Sequence, residues 1–132
     1  MSQIIVDEQL GKTEVLLPLR RWVTALKIES SRPFEVIKDD RVLQILRELK
    51  RPTFVTIDSK FYDKRHCDKR YCLVYFVLTP LEQNQLPGLL RRLLQLPFFN
   101  TRAARMGKVV RVSKTGVRYW QLNDDEEYNL EW

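Results

Sequence analysis

Apolar residues along this chain follow two rhythms. Short unbroken runs, Ile4-Ile5-Val6, Phe54-Val55-Thr56-Ile57 and Tyr71–Leu78, read as strands buried on both faces. Other stretches space their apolar residues three and four apart. From Glu14 to Leu26 this puts Val15, Leu16, Leu19, Trp22, Val23 and Leu26 on one helical side, with Pro18 early enough to be tolerated. From Asp40 to Lys50, with Asp39 as N-cap, it aligns Val42, Leu43, Ile45, Leu46 and Leu49, and Arg51-Pro52 ends the helix. A third helix, Leu86 to Leu96, buries a leucine stripe and turns Arg91 and Arg92 outward. Leu26-Lys27-Ile28 reads as a short strand, Ser30–Pro33 as a loop, and Lys60 to Arg70 as a charged loop. Lys108–Val112 and Val117–Leu122, joined by Ser113-Lys114-Thr115-Gly116, read as a β-hairpin. This order predicts one α/β domain over residues 1–123 with a mostly parallel sheet. An acidic tail, 124–132, then either frays or docks through Tyr128, Leu130 and Trp132.

Two of the buried runs stop at an acid, Asp7 and Asp58, and Asp39-Asp40 opens the helix between them. Right-handed crossovers bring parallel strand ends to one edge, where ligands of open α/β sheets bind. Carboxylates gathered there repel one another and call for a cation, most often Mg²⁺ or Mn²⁺. Such ions serve phosphodiester chemistry. The plainer reading has Asp39 capping its helix and Asp7 and Asp58 opening turns.

Charge adds a substrate class. The chain carries +6 overall, yet Gln83 to Asn123 contains no acid, and Asp124 to Trp132 contains five acids and no base. The acid-free stretch holds Arg91, Arg92, Arg102, Arg105, Lys108, Arg111, Lys114 and Arg118. A field of one sign attracts polyanions, and either Tyr119 or Trp120 can face out to meet an unpaired base. A solvated basic face, or one that meets an acidic protein, is the alternative. One histidine, His66, and two cysteines, Cys67 and Cys72, are too few for a structural zinc site. The chain has 44% hydrophobic residues, no bilayer-length apolar run and no leader pattern at Met1-Ser2-Gln3, so a cytoplasmic protein without a membrane is expected.

At the acidic strand ends the chain resembles PIN-like ribonuclease domains, in a short subgroup related to VapC-type toxins. Ile4-Ile5-Val6-Asp7-Glu8-Gln9-Leu10 is similar to their opening strand, and Asp39-Asp40-Arg41-Val42-Leu43 to the start of their middle helix. Phe54-Val55-Thr56-Ile57-Asp58-Ser59-Lys60-Phe61 resembles their Thr-x-Asp-x-Asp-Phe strand, with Lys60 where the second aspartate is expected. The resemblance implies a three-layer α/β/α fold ending in a hairpin, and Mg²⁺- or Mn²⁺-dependent cleavage of RNA. Asp7, Asp39 and Asp58 would be the catalytic metal ligands, with Asp40 as the alternative to Asp39. Lys60 would contact phosphate or mark a lost second metal. Arg91, Arg92, Arg102, Arg105, Lys108, Arg111 and Arg118 would grip the RNA. Partners would be RNA, an acidic antitoxin protein and a second copy of the chain. The rival expectation is a PIN-like module that binds RNA or protein without cleaving.

Overall fold

The computed structural model describes residues 3–132; the leader reading at Met1 and Ser2 lies outside them. Seven strands form one sheet in the order β2-β1-β3-β4-β5-β6-β7. These are β1 Gln3–Val6, β2 Thr24–Lys27, β3 Thr53–Thr56, β4 Cys72–Phe76, β5 Lys108–Val112, β6 Gly116–Gln121 and β7 Glu127–Glu131. The first five run parallel. β6 and β7 are antiparallel.

The pleat divides the apolar residues between two clusters. Ile4, Val6, Val55, Val74, Phe76, Val110 and Val112 pack with α1 (Leu17–Arg20), α4 (Leu86–Leu93) and Phe99. Ile5, Phe54, Leu73 and Val109 pack with α2 (Ile28–Ser31) and α3 (Asp39–Glu48). Strands β1, β3 and β4 are apolar on both sides because both sides are covered, which is why they read as unbroken runs. Val42, Ile45 and Leu46 of α3 bury at helical spacing, as do Leu86, Leu89, Leu90 and Leu93 of α4.

The expected helix from Glu14 to Leu26 is broken. A π-helical turn, Lys12–Leu16, leads into the single turn of α1, which has Pro18 at its start. The chain then turns to pair Thr24–Lys27 with Gln3–Val6. The free edge of β1 takes a partner there, and this ladder outweighs weak helix propensity at Val23 and Thr24. Ile28, expected in the strand, and Ser30 and Ser31, expected in a loop, are helical instead, in Ile28–Ser31. The tail does not fray: Tyr128 stacks on Tyr119 with ring centroids 5.1 Å apart. Beyond β7 the Trp132 Nε1 donates to the Ser113 carbonyl at 2.7 Å. The chain thus ends in an antiparallel meander of β5, β6 and β7 instead of a two-stranded hairpin.

The charged stretch after β3 is also ordered. Asp58 and Asp63 cap two 3₁₀ turns, Ser59–Phe61 and Lys64–His66. Phe61 packs edge-on against Phe54 at 5.2 Å. Asp68 ties this segment to α3, 3.1 Å from Arg47 Nε and 3.0 Å from Arg70 Nη2. Burial works against the Asp68 charge, but hydrogen bonds from Arg70 and Arg47 outweigh it and hold the carboxyl at about 2, below the ordinary 3.8. A depressed carboxyl stabilises the fold above its unfolded value and loses that contribution as pH falls through its folded value. Asp68→Asn is therefore expected to lower stability by about 2 kcal/mol at neutral pH. The deficit should shrink between pH 3.8 and about 2, as chemical denaturation at several pH values will reveal.

Candidate functional site

The chain leaves β1 for β2 on one side and then crosses to β3 on the other, so the strand order reverses between β1 and β3. Ligands of open α/β sheets bind outside the strand ends at such a reversal. Asp7 follows β1 and Asp58 follows β3, so both stand there.

A hydroxyl links the Asp7 side chain to the Asp58 backbone. The Thr56 hydroxyl donates to Asp7 Oδ2 at 2.6 Å and accepts from the Asp58 backbone N–H at 3.0 Å. Asp58 Oδ1 accepts from the Lys60 backbone N–H at 3.0 Å. The Lys60 ammonium lies 3.7 Å from Asp58 Oδ2 and 2.8 Å from Asp39 Oδ2. The order across the site is Asp7, Thr56, Asp58, Lys60, Asp39. Thr56 is the member sequence reasoning left without a role. Its place at the end of β3, two residues before Asp58, was the available signal.

The two ends of this relay differ. Asp7 is 5% exposed, and among the described residues no basic side chain pairs with it. Burial pushes its carboxyl above the ordinary 3.8, hydrogen bonds from Thr56 and the Glu8 backbone pull back, and the charges of Glu8 and Asp58 push up again. The Lys60 side chain is 72% exposed. Its ammonium is held above its ordinary range first by the Asp39 hydrogen bond and then by the charges of Asp39 and Asp58. Asp39 does not cap α3; the cap position is Lys38. Asp40 is exposed and accepts from the Arg41 N–H at 3.0 Å, outside the relay.

Among the described residues, no three His, Cys, Asp or Glu side chains are grouped to hold a metal ion. The strand ends instead assemble a pair, Asp7 and Asp58. Mg²⁺ is commonly bound by one or two carboxylates, with waters completing its shell. A buried carboxylate without a cation, linked through one hydroxyl to the residue that carries a second, fits one hard divalent ion. Asp39 is engaged by Lys60 and does not join that set as it stands.

Beside the relay lies a cavity of about 660 Å³ whose lining includes Asp39, Lys60, Tyr62, Arg65 and His66. Tyr62 continues from it toward Tyr75, with ring centroids 6.5 Å apart. Tyr75, Arg111 and Arg118 are register neighbours on β4, β5 and β6. Trp120 shares their face by alternation, with Lys64 5.4 Å above its ring. Tyr119 points the other way, into the core.

The expected basic grip is not one surface. Arg91 and Arg92 lie on α4, over Trp22 at 5.7 Å and over Trp132 at 4.3 Å. They belong to the opposite side of the sheet from Arg111 and Arg118. Lys108 is half-buried and donates to the Ala104 carbonyl. Arg102 is half-buried, with its Nε sealed from solvent. Arg105 needs correction: it is 0% exposed and cannot meet RNA. Its Nε donates to Thr53 Oγ1 at 2.9 Å and its Nη1 to the Phe99 carbonyl at 3.0 Å. Cys72 is fully buried as well, its thiol pushed up to about 12 by burial.

No protein-family model, curated protein or solved structure matches this chain. No helix among the described residues is long and apolar enough to cross a membrane.

Proposed function

We propose that this protein is a divalent-metal-dependent ribonuclease of PIN-like architecture, with its reaction centre at the ends of β1 and β3. The observation that carries the reading is Asp7: a carboxylate 5% exposed, without a basic partner among the described residues, at the reversal of strand order. Apolar clusters on both faces of the sheet favour the three-layer arrangement of that architecture.

Asp7 and Asp58 would hold one Mg²⁺ or Mn²⁺. When bound, the ion supplies Lewis acidity to a phosphoryl oxygen and stabilises charge developing there. Thr56 fixes the Asp7 rotamer through its 2.6 Å hydrogen bond. Lys60, which lines the cavity, would offer a positive charge to the same phosphate. The RNA backbone would cross the side carrying Arg111 and Arg118, which are coupled electrostatically to Tyr62 of the cavity wall. An acidic antitoxin would compete for that side. Incubating purified protein with single-stranded RNA and Mn²⁺ tests the reading: cleavage that ceases in chelator supports it, and intact RNA contradicts it.

A second reading has its own observation. Lys60 already neutralises part of the acidic edge, as a module that binds RNA without cleaving it would require. Such a module would hold RNA equally well in chelator and leave it intact with Mn²⁺.

Both readings share a prediction about the basic surfaces. For single strands, the slope of log affinity against log salt is about −0.7 per phosphate neutralised. Replacing Arg111 and Arg118 with alanine should weaken RNA binding and flatten that slope by about 1.4. Replacing Arg91 and Arg92 should change it little. Fluorescence anisotropy across a salt series separates the two surfaces, and the reverse ranking would move the RNA to the α4 side.

A further inference from the structure

We propose that Lys60 is the resident second cation of this site, so that the chain takes one divalent ion where its acidic edge could otherwise take two. The inference rests on the metal reading above for the first ion, but it concerns Lys60 itself.

The local turn fixes where the Lys60 backbone stands, and its largely exposed side chain starts from there. Asp58 caps the 3₁₀ turn by accepting from the Lys60 N–H, which seats Lys60 directly over the Asp58 carboxylate. From there the side chain reaches across to the first residue of α3, where its ammonium meets Asp39 at 2.8 Å. The same ammonium is 3.7 Å from Asp58 Oδ2, so it bridges a carboxylate just after β3 and one at the start of α3. Two metal ions acting on one phosphate stand about 3.5–4 Å apart and share carboxylates in this way. Asp58 thus stands between the Lys60 ammonium, which its carboxylate faces, and Asp7, to which Thr56 joins its backbone; with an ion on the Asp7 side, it would be the carboxylate the two cations share. An ammonium brings a single charge and hydrogen-bond donors, and it is tethered to the chain where a metal ion could leave. It can bind a phosphate oxygen but gives no Lewis acidity. Asp39 then acts through Lys60: it is a positioning residue for the ammonium, not a ligand.

The consequence is a count of ions. Mn²⁺ titrated into the full chain and followed by calorimetry, with free Mn²⁺ checked by electron paramagnetic resonance, should give one ion per chain. Lys60→Asp should give two, and should tighten the first by at least tenfold, because a positive charge beside it has been replaced by a ligand. Lys60→Arg should keep one. The double variant Lys60→Asp/Asp39→Asn should return to one, since the second place needs Asp39. Circular dichroism establishes that each variant is folded.

Two ions in the wild type, or one in the wild type and still only one in a folded Lys60→Asp chain, would overturn the proposal. No ion in the wild type with one in Lys60→Asp would contradict the metal reading of Asp7 and Asp58, yet would still place Lys60 where a cation belongs. No ion in either would overturn both.

Discussion

Asp7→Asn is expected to abolish Mn²⁺-dependent RNA cleavage while leaving the metal-free protein at least as stable as the wild type. The loss of activity should exceed about 100-fold, since removing even a group that supports a metal ligand costs roughly 10–100-fold. The stability half of the expectation follows from the surroundings of Asp7. The side chain is buried, and the charges that push on it, Glu8 and Asp58, are both negative. Thr56 and the Glu8 backbone donate to it, but their hydrogen bonds do not offset its burial, and its carboxyl is raised above 3.8. An uncharged amide keeps the Thr56 hydrogen bond through its oxygen and removes a charge that has no counter-ion. A buried group that is stabilising to delete and indispensable to activity is the pattern of a ligand waiting for its ion. Thermal melting supplies the companion measurement. At about 100 times its dissociation constant, Mn²⁺ should stabilise the wild type by about 2.7 kcal/mol and should not stabilise Asp7→Asn. Cleavage surviving in Asp7→Asn would remove Asp7 from the reaction centre.

Arg105→Ala is expected to destabilise the fold by roughly 2–4 kcal/mol, the range for emptying a large buried side chain and leaving acceptors unpaired. The guanidinium fills the space under α5 (Arg102–Arg105) and bonds both Thr53 of β3 and the Phe99 carbonyl. It does so without a carboxylate: it donates to a hydroxyl and a carbonyl, and its Nη2 is buried without a partner among the described residues. Burial accordingly lowers its proton affinity. Arg105→Lys should not restore stability, because one ammonium cannot span both acceptors. The RNA affinity of the folded variant, and its salt slope, should match the wild type. A flattened slope with unchanged stability would return Arg105 to the surface.

Legibility in the sequence followed burial. β1, β3 and β4 are covered on both sides, so their composition alone announces them. α3 and α4 each hold one apolar stripe against the sheet. The period-two alternation of Glu127-Tyr128-Asn129-Leu130-Glu131-Trp132 is a strand signature too, and its acids merely face the solvent side. The stretch from Glu14 to Lys27 misleads because its apolar spacing suits a helix, while the open edge of β1 claims its last four residues. Arg105 was the least legible residue. Nothing in a one-dimensional pattern distinguishes an arginine that solvates from one that plugs a core.

At the site, strand ends were legible and partners were not. Asp7 and Asp58 come together because parallel pairing puts Val6 beside Val55 and leaves both chain exits on one edge. Asp39 reaches that edge only through Lys60, a contact that depends on the turn after Asp58 and not on spacing. The same turn decides between the two adjacent acids, since Asp39 meets the ammonium and Asp40 binds its neighbour's backbone.

The most direct measurement is anomalous diffraction from crystals of the protein grown with Mn²⁺. The account predicts one peak, between the carboxylates of Asp7 and Asp58, with metal–oxygen bonds near 2.1 Å and the Lys60 ammonium still beside Asp39. A peak elsewhere, or none at saturating Mn²⁺ with Asp7 still bonded only to Thr56 and the Glu8 backbone, would contradict it.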